Sequence, residues 1–319
     1  MRDTHGALAL ANDPWTVEQT IEEFIEWGTG RGHSLATLVA YDKALRKNFL
    51  PWCQAQGIER LEDVTLRIID QYHNHVRSRP RRDGKPGTVS GSTMAWLNRP
   101  LRTMLEWARQ RGAEVSKFQI TDPAEKVRVV RIIDDAEQRK LENYARQRGQ
   151  RDYLIVWLMG RRGLRAEEVV LITQEDLLEE TYDGKREHYV RVMGKGRGGH
   201  GAERKVPLPP AVYREMHQLS ANPPPTRSEG YVFMSRKPPY GRLTAKALWQ
   251  MVSAMGQFVL KRNDVHPHLL RHSFVTKCDR RGMNDRQIAL FAGNHNSIKR
   301  YSHLGHRDGT EILRENDLD

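Results

Sequence analysis

From residue 16 to about residue 112 the apolar positions recur three and four apart, the spacing of helices that bury one face. Val17, Ile21, Phe24 and Ile25 form one such stripe. Ser34 stands where an N-cap would, ahead of an amphipathic run over residues 35–50 that Pro51 interrupts or redirects. A third helix is predicted over 64–77, and a fourth over 92–111 with Met94, Leu97, Leu101, Met104, Leu105 and Trp107 as its apolar content. Residues 78–90, rich in Arg, Gly and Pro, read as a basic loop. Periodicity then fades over 113–131, the best candidate for an interdomain linker.

The second half mixes the two periods. Helices are predicted over 135–148, 152–159, 243–260, 268–281, 285–292 and 296–304, and another opens at Arg165 after the Gly163 turn. Residues 189–193 and 205–208 have strand character, on either side of a Gly-rich, basic turn over 194–204. No internal repeat is visible.

A chain of 319 residues has room for two domains, each with its own core. The formal net charge of +12, sequence pI near 9.8 and mean hydropathy of -0.72 point to a polyanionic partner. Each Lys or Arg that meets a phosphate releases counterions. The two cysteines, Cys53 and Cys278, stand far apart and read as reduced, buried thiols of a cytosolic protein rather than a disulfide framework. No apolar run of about 18 residues indicates a membrane span, and residues 1–14 lack the apolar core of a signal peptide. The chain is expected to stay in the compartment where it is made.

Five residues stand in an order that has a chemical meaning. Arg165 sits in Gly163-Leu164-Arg165-Ala166-Glu167-Glu168, and Lys195 in Val192-Met193-Gly194-Lys195-Gly196. His268 and Arg271 lie in Pro267-His268-Leu269-Leu270-Arg271-His272, and Tyr301 is followed by Ser302-His303. His268 and Arg271, three apart on a predicted helix, share a face. Two arginines on one phosphate give bidentate, charge-assisted bonds to its non-bridging oxygens, worth most as charge builds in a pentacoordinate transition state. Tyr301 would be the nucleophile. A phenol of ordinary pKa is only about one part in a thousand ionised at neutral pH, a cost of roughly 4 kcal/mol that a nearby base or guanidinium must offset. His268 and Arg271 are the natural suppliers. Lys195, at a Gly-flanked turn, is placed to protonate a leaving 5′ oxygen. Arg197 and Arg204 in the same loop, with Lys126 and Arg128 in the linker, suit backbone phosphates.

Other chemistries lack carriers. His266, His268, His272 and Cys278 are not spaced as a zinc site, so no metal or other cofactor is expected, and His272 reads as a packing histidine. Glu167-Glu168 and Asp134-Asp135 read as first-turn helix charges rather than an acid pair.

This ordered set resembles the tyrosine recombinase (phage integrase) family, and the resemblance covers nearly the whole chain. It implies a mainly α fold with a small β-sheet in the C-terminal domain, arranged as a two-domain DNA clamp. A lead-in over 1–13 would precede a helical, SAM-like core-binding domain over 14–112. The linker over 113–131, a catalytic domain over 132–305 and a tail over 306–319 would follow. Matched residue by residue, the catalytic arginines fall on Arg165 and Arg271, the partner glutamate on Glu168, the hairpin lysine on Lys195, the histidine on His268 and the nucleophile on Tyr301. Members usually carry Gly followed by His or Trp about nine residues before the tyrosine; here Gly293 precedes Asn294 and His295. Shortening a helix by three residues turns it by about 300°, nearly a full turn, which favours His295 over Asn294.

The implied reaction is strand cleavage and rejoining through a 3′-phosphotyrosine, without metal or ATP. The implied partners are double-stranded DNA with inverted-repeat core sites, a homo-tetramer on two duplexes and accessory DNA-bending proteins, with no membrane. The tail, carrying Glu311, Ile312 and Leu313, would suit docking on a neighbouring protomer. Two other readings stay open at this point: a topoisomerase-like enzyme acting on single duplexes, and a DNA-binding regulator without turnover.

Overall fold

Thr16, Ser34, Thr65 and Ser90 each turn a side-chain oxygen onto the backbone N–H three residues on, and each starts a helix of the N-terminal half. Such a cap satisfies a donor that the first helical turn would otherwise strand, worth about 1 kcal/mol apiece. The structure is a computed structural model that describes residues 15–80, 89–123, 131–194, 203–221, 230–238 and 240–293. The chain divides into two compact units, and the division falls at residue 128.

The N-terminal unit is helical throughout: α1 (Val17–Gly30), α2 (Leu35–Ala44), α3 (Leu50–Ala55), α4 (Leu66–Ser78) and α5 (Gly91–Arg109). Val17, Ile21 and Phe24 of the α1 stripe are buried with Leu45, Phe49, Trp52, Tyr72, Leu101, Met104 and Trp107, while Ile25 is only partly covered. Pro51 does not stop the second helix. A π-turn over Leu45–Phe49, in which the Leu50 N–H reaches back to Leu45 O, leads into α3 with the proline in its first turn. Proline cannot donate, and its ring crowds the carbonyl one turn back; a widened coil relieves both.

Within the stretch expected as linker, the described residues 113–123 carry no helix or strand, yet Ala113, Val115 and Ile120 are buried in this core. Asp122 holds the segment down. It accepts from Asn98 at 2.9 Å and from Arg102 at 2.8 Å, and Asn98 in turn meets buried His73 at 2.8 Å. The Arg102 hydrogen bond keeps the Asp122 carboxyl below its ordinary range.

In the C-terminal unit α6 (Asp135–Arg148), α7 (Gln150–Arg161) and α8 (Ala166–Leu171) lead into three strands. These are β1 (Leu177–Tyr182), β2 (Lys185–Met193) and β3 (Glu203–Leu208). Then come α9 (Pro210–Ala221), α10 (Ala245–Leu260), α11 (Pro267–Arg280) and α12 (Asp285–Ala292). The strands form one antiparallel sheet in the order β1-β2-β3, with Leu177 opposite Val190 and Val192 opposite Arg204. Val190, Val192, Val206 and Leu208 pack with α7, whose residues Leu154 to Met159 are buried all round. The fold is thus mainly helical with a small sheet in its C-terminal half, as expected. Among the described residues no helix is long and apolar enough to cross a membrane.

Each unit buries one thiol. Cys53 lies in the N-terminal core and Cys278 on α11, both unpaired, and burial pushes each up to about 12.

Asp152, fully buried on α7, is held by Arg148 at 3.1 Å, Arg151 at 2.7 Å and Arg236 at 3.2 Å. Removing the carboxylate leaves the guanidinium groups facing one another. Arg151 is mostly covered and would keep the Met234 carbonyl, at 2.7 Å, but no carboxylate among its described contacts, whereas Arg148 and Arg236 can relax into water. Asp152→Ala is therefore expected to cost about 3 kcal/mol, the low end for breaking a buried ion pair, read as a lowered urea midpoint for this unit.

Candidate active site

Gly163 sets the site in place. Its φ of 66° is one that side-chain-bearing residues rarely adopt, and a Cβ there would lie 2.5 Å from the Phe274 ring of α11. The turn it makes leaves Arg165 at the head of α8, where the Arg165 backbone N–H donates to Glu168 Oε2 at 2.8 Å. Arg165 Nη1 donates to Glu168 Oε1 at 2.9 Å, so one carboxylate fixes both the main chain and the side chain of this arginine.

Arg271 comes from α11, on the opposite side of the sequence, and reaches the same place. Its Nη1 donates to the carbonyls of Gly163 and Ala292, and its Nη2 to Gly293 O at 3.1 Å. Arg165 donates to these acceptors too, to Ala292 O at 3.3 Å and to Gly293 O at 2.8 Å. Two guanidinium groups that share the carbonyl oxygens closing α12 must lie side by side. Arg271 is buried, whereas a third of the Arg165 side chain is open to solvent. Burial, reinforced by the neighbouring charge of Arg165, brings the Arg271 guanidinium down to about 10, which leaves it cationic at neutral pH.

Arg204 completes the cluster, and it is not where the sequence put it. It was expected on backbone phosphates, but it is buried on β3. Its Nη1 and Nη2 donate to Glu168 Oε1 and Oε2 at 3.0 and 2.8 Å, and its Nε to Phe291 O at 2.9 Å. Strand alternation explains this: Arg204, Val206 and Leu208 share the inward face, and that parity was legible in the sequence. Burial alone would raise the Glu168 carboxyl, but the Arg204 hydrogen bonds and charge more than offset it and hold Glu168 ionised, below the ordinary carboxylate range.

His268 stands one turn before Arg271 on the exposed side of α11. Desolvation, then the charges of Arg271, His266, His272 and Arg165, hold its imidazole below the usual value. At neutral pH it is therefore an uncharged acceptor, and it takes a proton only at a pH lower than an ordinary histidine does. In an NMR titration the His268 midpoint is expected below that of a free imidazole, moving up when Arg271 is replaced by Gln. His266 is the N-cap of α11, accepting from Leu269 N–H at 3.2 Å.

His272, expected to pack, is exposed. One residue beyond Arg271 is about 100° round the helix, so the face that buries Arg271 turns His272 outward. Lys195, Tyr301, His295, Arg197, Lys126 and Arg128 lie outside the described residues. The fold thus brings Arg165, Glu168, Arg271 and Arg204 into contact, with His268 at their edge. Three guanidinium groups against one carboxylate leave two positive charges uncancelled, an arrangement suited to a phosphoryl group with several anionic oxygens.

The family model described as "Phage integrase family" matches residues 128–307. Tyrosine recombinase XerD of Bifidobacterium longum is 25% identical over 302 residues, covering 86% of this chain and 88% of that protein. Tyrosine recombinase XerC of Bacillus subtilis is 24% identical over 322 residues, covering 93% and 94%. Among solved structures, the Tn1549 transposon integrase in complex with a circular intermediate DNA aligns with a TM-score of 0.66 at 17% identity, covering 94% of this chain and 99% of that one. The XerH site-specific recombinase bound to difH substrate aligns with a TM-score of 0.64 at 13% identity, covering 95% and 99%.

Proposed function

The chain belongs to the phage integrase family, and we propose that it is a site-specific DNA recombinase that cuts and rejoins strands through a covalent phosphotyrosine. What carries this is the convergence of Arg165 and Arg271, far apart in sequence, on the shared carbonyls of Ala292 and Gly293. Paired forks of this kind are what a scissile phosphate needs as negative charge accumulates on it.

Tyr301 attacks the phosphorus and displaces the 5′ oxygen, which leaves with a proton from Lys195. The phenolic proton passes to His268, held neutral at physiological pH. A 5′ hydroxyl of the partner strand then attacks the phosphotyrosine and releases Tyr301, so the bond energy is kept and no ATP is consumed. His295 completes the contacts to the phosphate, and Lys126, Arg128 and Arg197 line the backbone. The helical unit serves as the core-binding domain and the second unit as the catalytic domain, with the linker and tail boundaries given above. The enzyme works as a homo-tetramer on two duplexes with inverted-repeat core sites, aided by DNA-bending proteins, on a mobile element or its host chromosome in the cytoplasm.

The test is to find the inverted repeat that the protein protects, nick it beside the scissile position, and look for protein–DNA complexes that survive denaturant. A covalent adduct and recombinant products are expected. Binding without an adduct would instead make the chain a regulator, and plasmid relaxation without recombinants would make it a topoisomerase.

A further inference from the structure

Glu168 sets a difficulty that the two phosphate-facing arginines do not resolve. A carboxylate against Arg165 aims its guanidinium but also cancels its charge, and a neutralised pair holds a phosphate poorly. Arg204 offers the same carboxylate a second cation through both of its oxygens. It also reaches Phe291 O, next in sequence to the carbonyls of Ala292 and Gly293 that hold Arg165 and Arg271. Gly293 accommodates it: a Cβ there would lie 2.9 Å from Arg204 Nη1, and the φ of 61° excludes most other residues.

We infer that Arg204 is a positioning residue for strand cleavage: it takes up the charge of Glu168 and fastens β3 to α8 and to the end of α12, so that the charge of Arg165 is left for a phosphate and its fork stays aimed. This rests on the recombinase reading above. Arg204 itself, buried behind Glu168, touches no substrate. Without it the cluster falls from two uncancelled positive charges to one. Glu168 also loses the partner that keeps it ionised, so burial moves its titration upward.

The experiment compares the wild type with Arg204→Met, Arg204→Lys and Arg204→Met/Glu168→Gln. For each, single-turnover trapping on the nicked duplex is followed from mildly acidic to alkaline pH, with DNA affinity by mobility shift and folding by thermal melting. Arg204→Met is expected to trap about 10- to 100-fold more slowly at saturating DNA. Its affinity should change by less than about threefold, since the loss falls on the transition state. The deficit should narrow toward acid pH, as Glu168 takes a proton and its charge disappears. The double variant should recover most of the rate and lose that pH dependence. Arg204→Lys keeps the charge without the fork and should fall between, with the wild-type profile.

Trapping by Arg204→Met at the wild-type rate overturns the inference. So does a slow rate with no Glu168-dependent titration, which would leave Arg204 a purely structural side chain. Where Arg204→Met does not fold, a wild-type rate for Arg204→Lys overturns it as well. If the wild type itself fails to trap, the recombinase reading fails instead, and the two failures are distinguishable.

Discussion

Tyr301→Phe is expected to abolish covalent trapping, by about 10⁴-fold or more, while DNA binding is unchanged. The substitution removes one oxygen and leaves the ring, so only the group that would bond to phosphorus is lost. A step that depends on a covalent intermediate has no substitute for its nucleophile. The measurement is denaturing electrophoresis of the complex on a nicked duplex, with mass spectrometry of the adduct peptide. An adduct that persists in Tyr301→Phe, or that maps to another tyrosine such as Tyr231 or Tyr240, would move the nucleophile elsewhere.

The second large effect belongs to Arg271. Its guanidinium donates to carbonyls of Gly163, Ala292 and Gly293, so it joins the α8 turn, α11 and the end of α12 at a single point. An ammonium cannot reproduce that fork. Arg271→Lys is expected to slow trapping about 10²- to 10³-fold, the scale for removing one preorganised donor from a developing anion. It should also destabilise the C-terminal unit by about 2 kcal/mol, because the Gly163 carbonyl loses the Arg271 fork and those of Ala292 and Gly293 are left to Arg165 alone. Arg165→Lys should slow trapping by a similar factor but cost little stability, since that side chain is a third exposed. Single-turnover rates taken below both melting transitions separate the two. Equal stability loss in both variants would remove the distinction drawn between a buried and a half-open arginine.

The helices of the N-terminal half were readable because each buries a face. Val17, Phe24, Leu101, Met104 and Trp107 lie in the core where their spacing put them. β1 was not read, because its alternation is weak: only Leu177 is buried, and Glu179, Thr181 and Tyr182 are all exposed. The signal that would have found it is Asp183-Gly184, both at positive φ, the two-residue turn that joins twisted antiparallel strands. α9 was missed behind Pro209-Pro210, although Pro210 is its first residue and Val212, Met216 and Ser220 recur every four positions. Arg204 was misplaced for a different reason. In a chain this basic, any Lys- or Arg-rich turn resembles a phosphate contact, and only strand parity distinguishes an inward guanidinium from an outward one. The joining of Arg165 to Arg271 through main-chain oxygens had no local sign at all, since it depends on α8, α11 and α12 meeting in space.

Because Cys53 and Cys278 are shielded, one in each half of the molecule, a soluble alkylating reagent can modify them only when the surrounding structure opens. Each half therefore carries its own clock. The labelling rate at one sulfur reports the opening equilibrium of the helical half, and the rate at the other that of the C-terminal half. Any coupling that DNA imposes between them would appear as two rates slowing together.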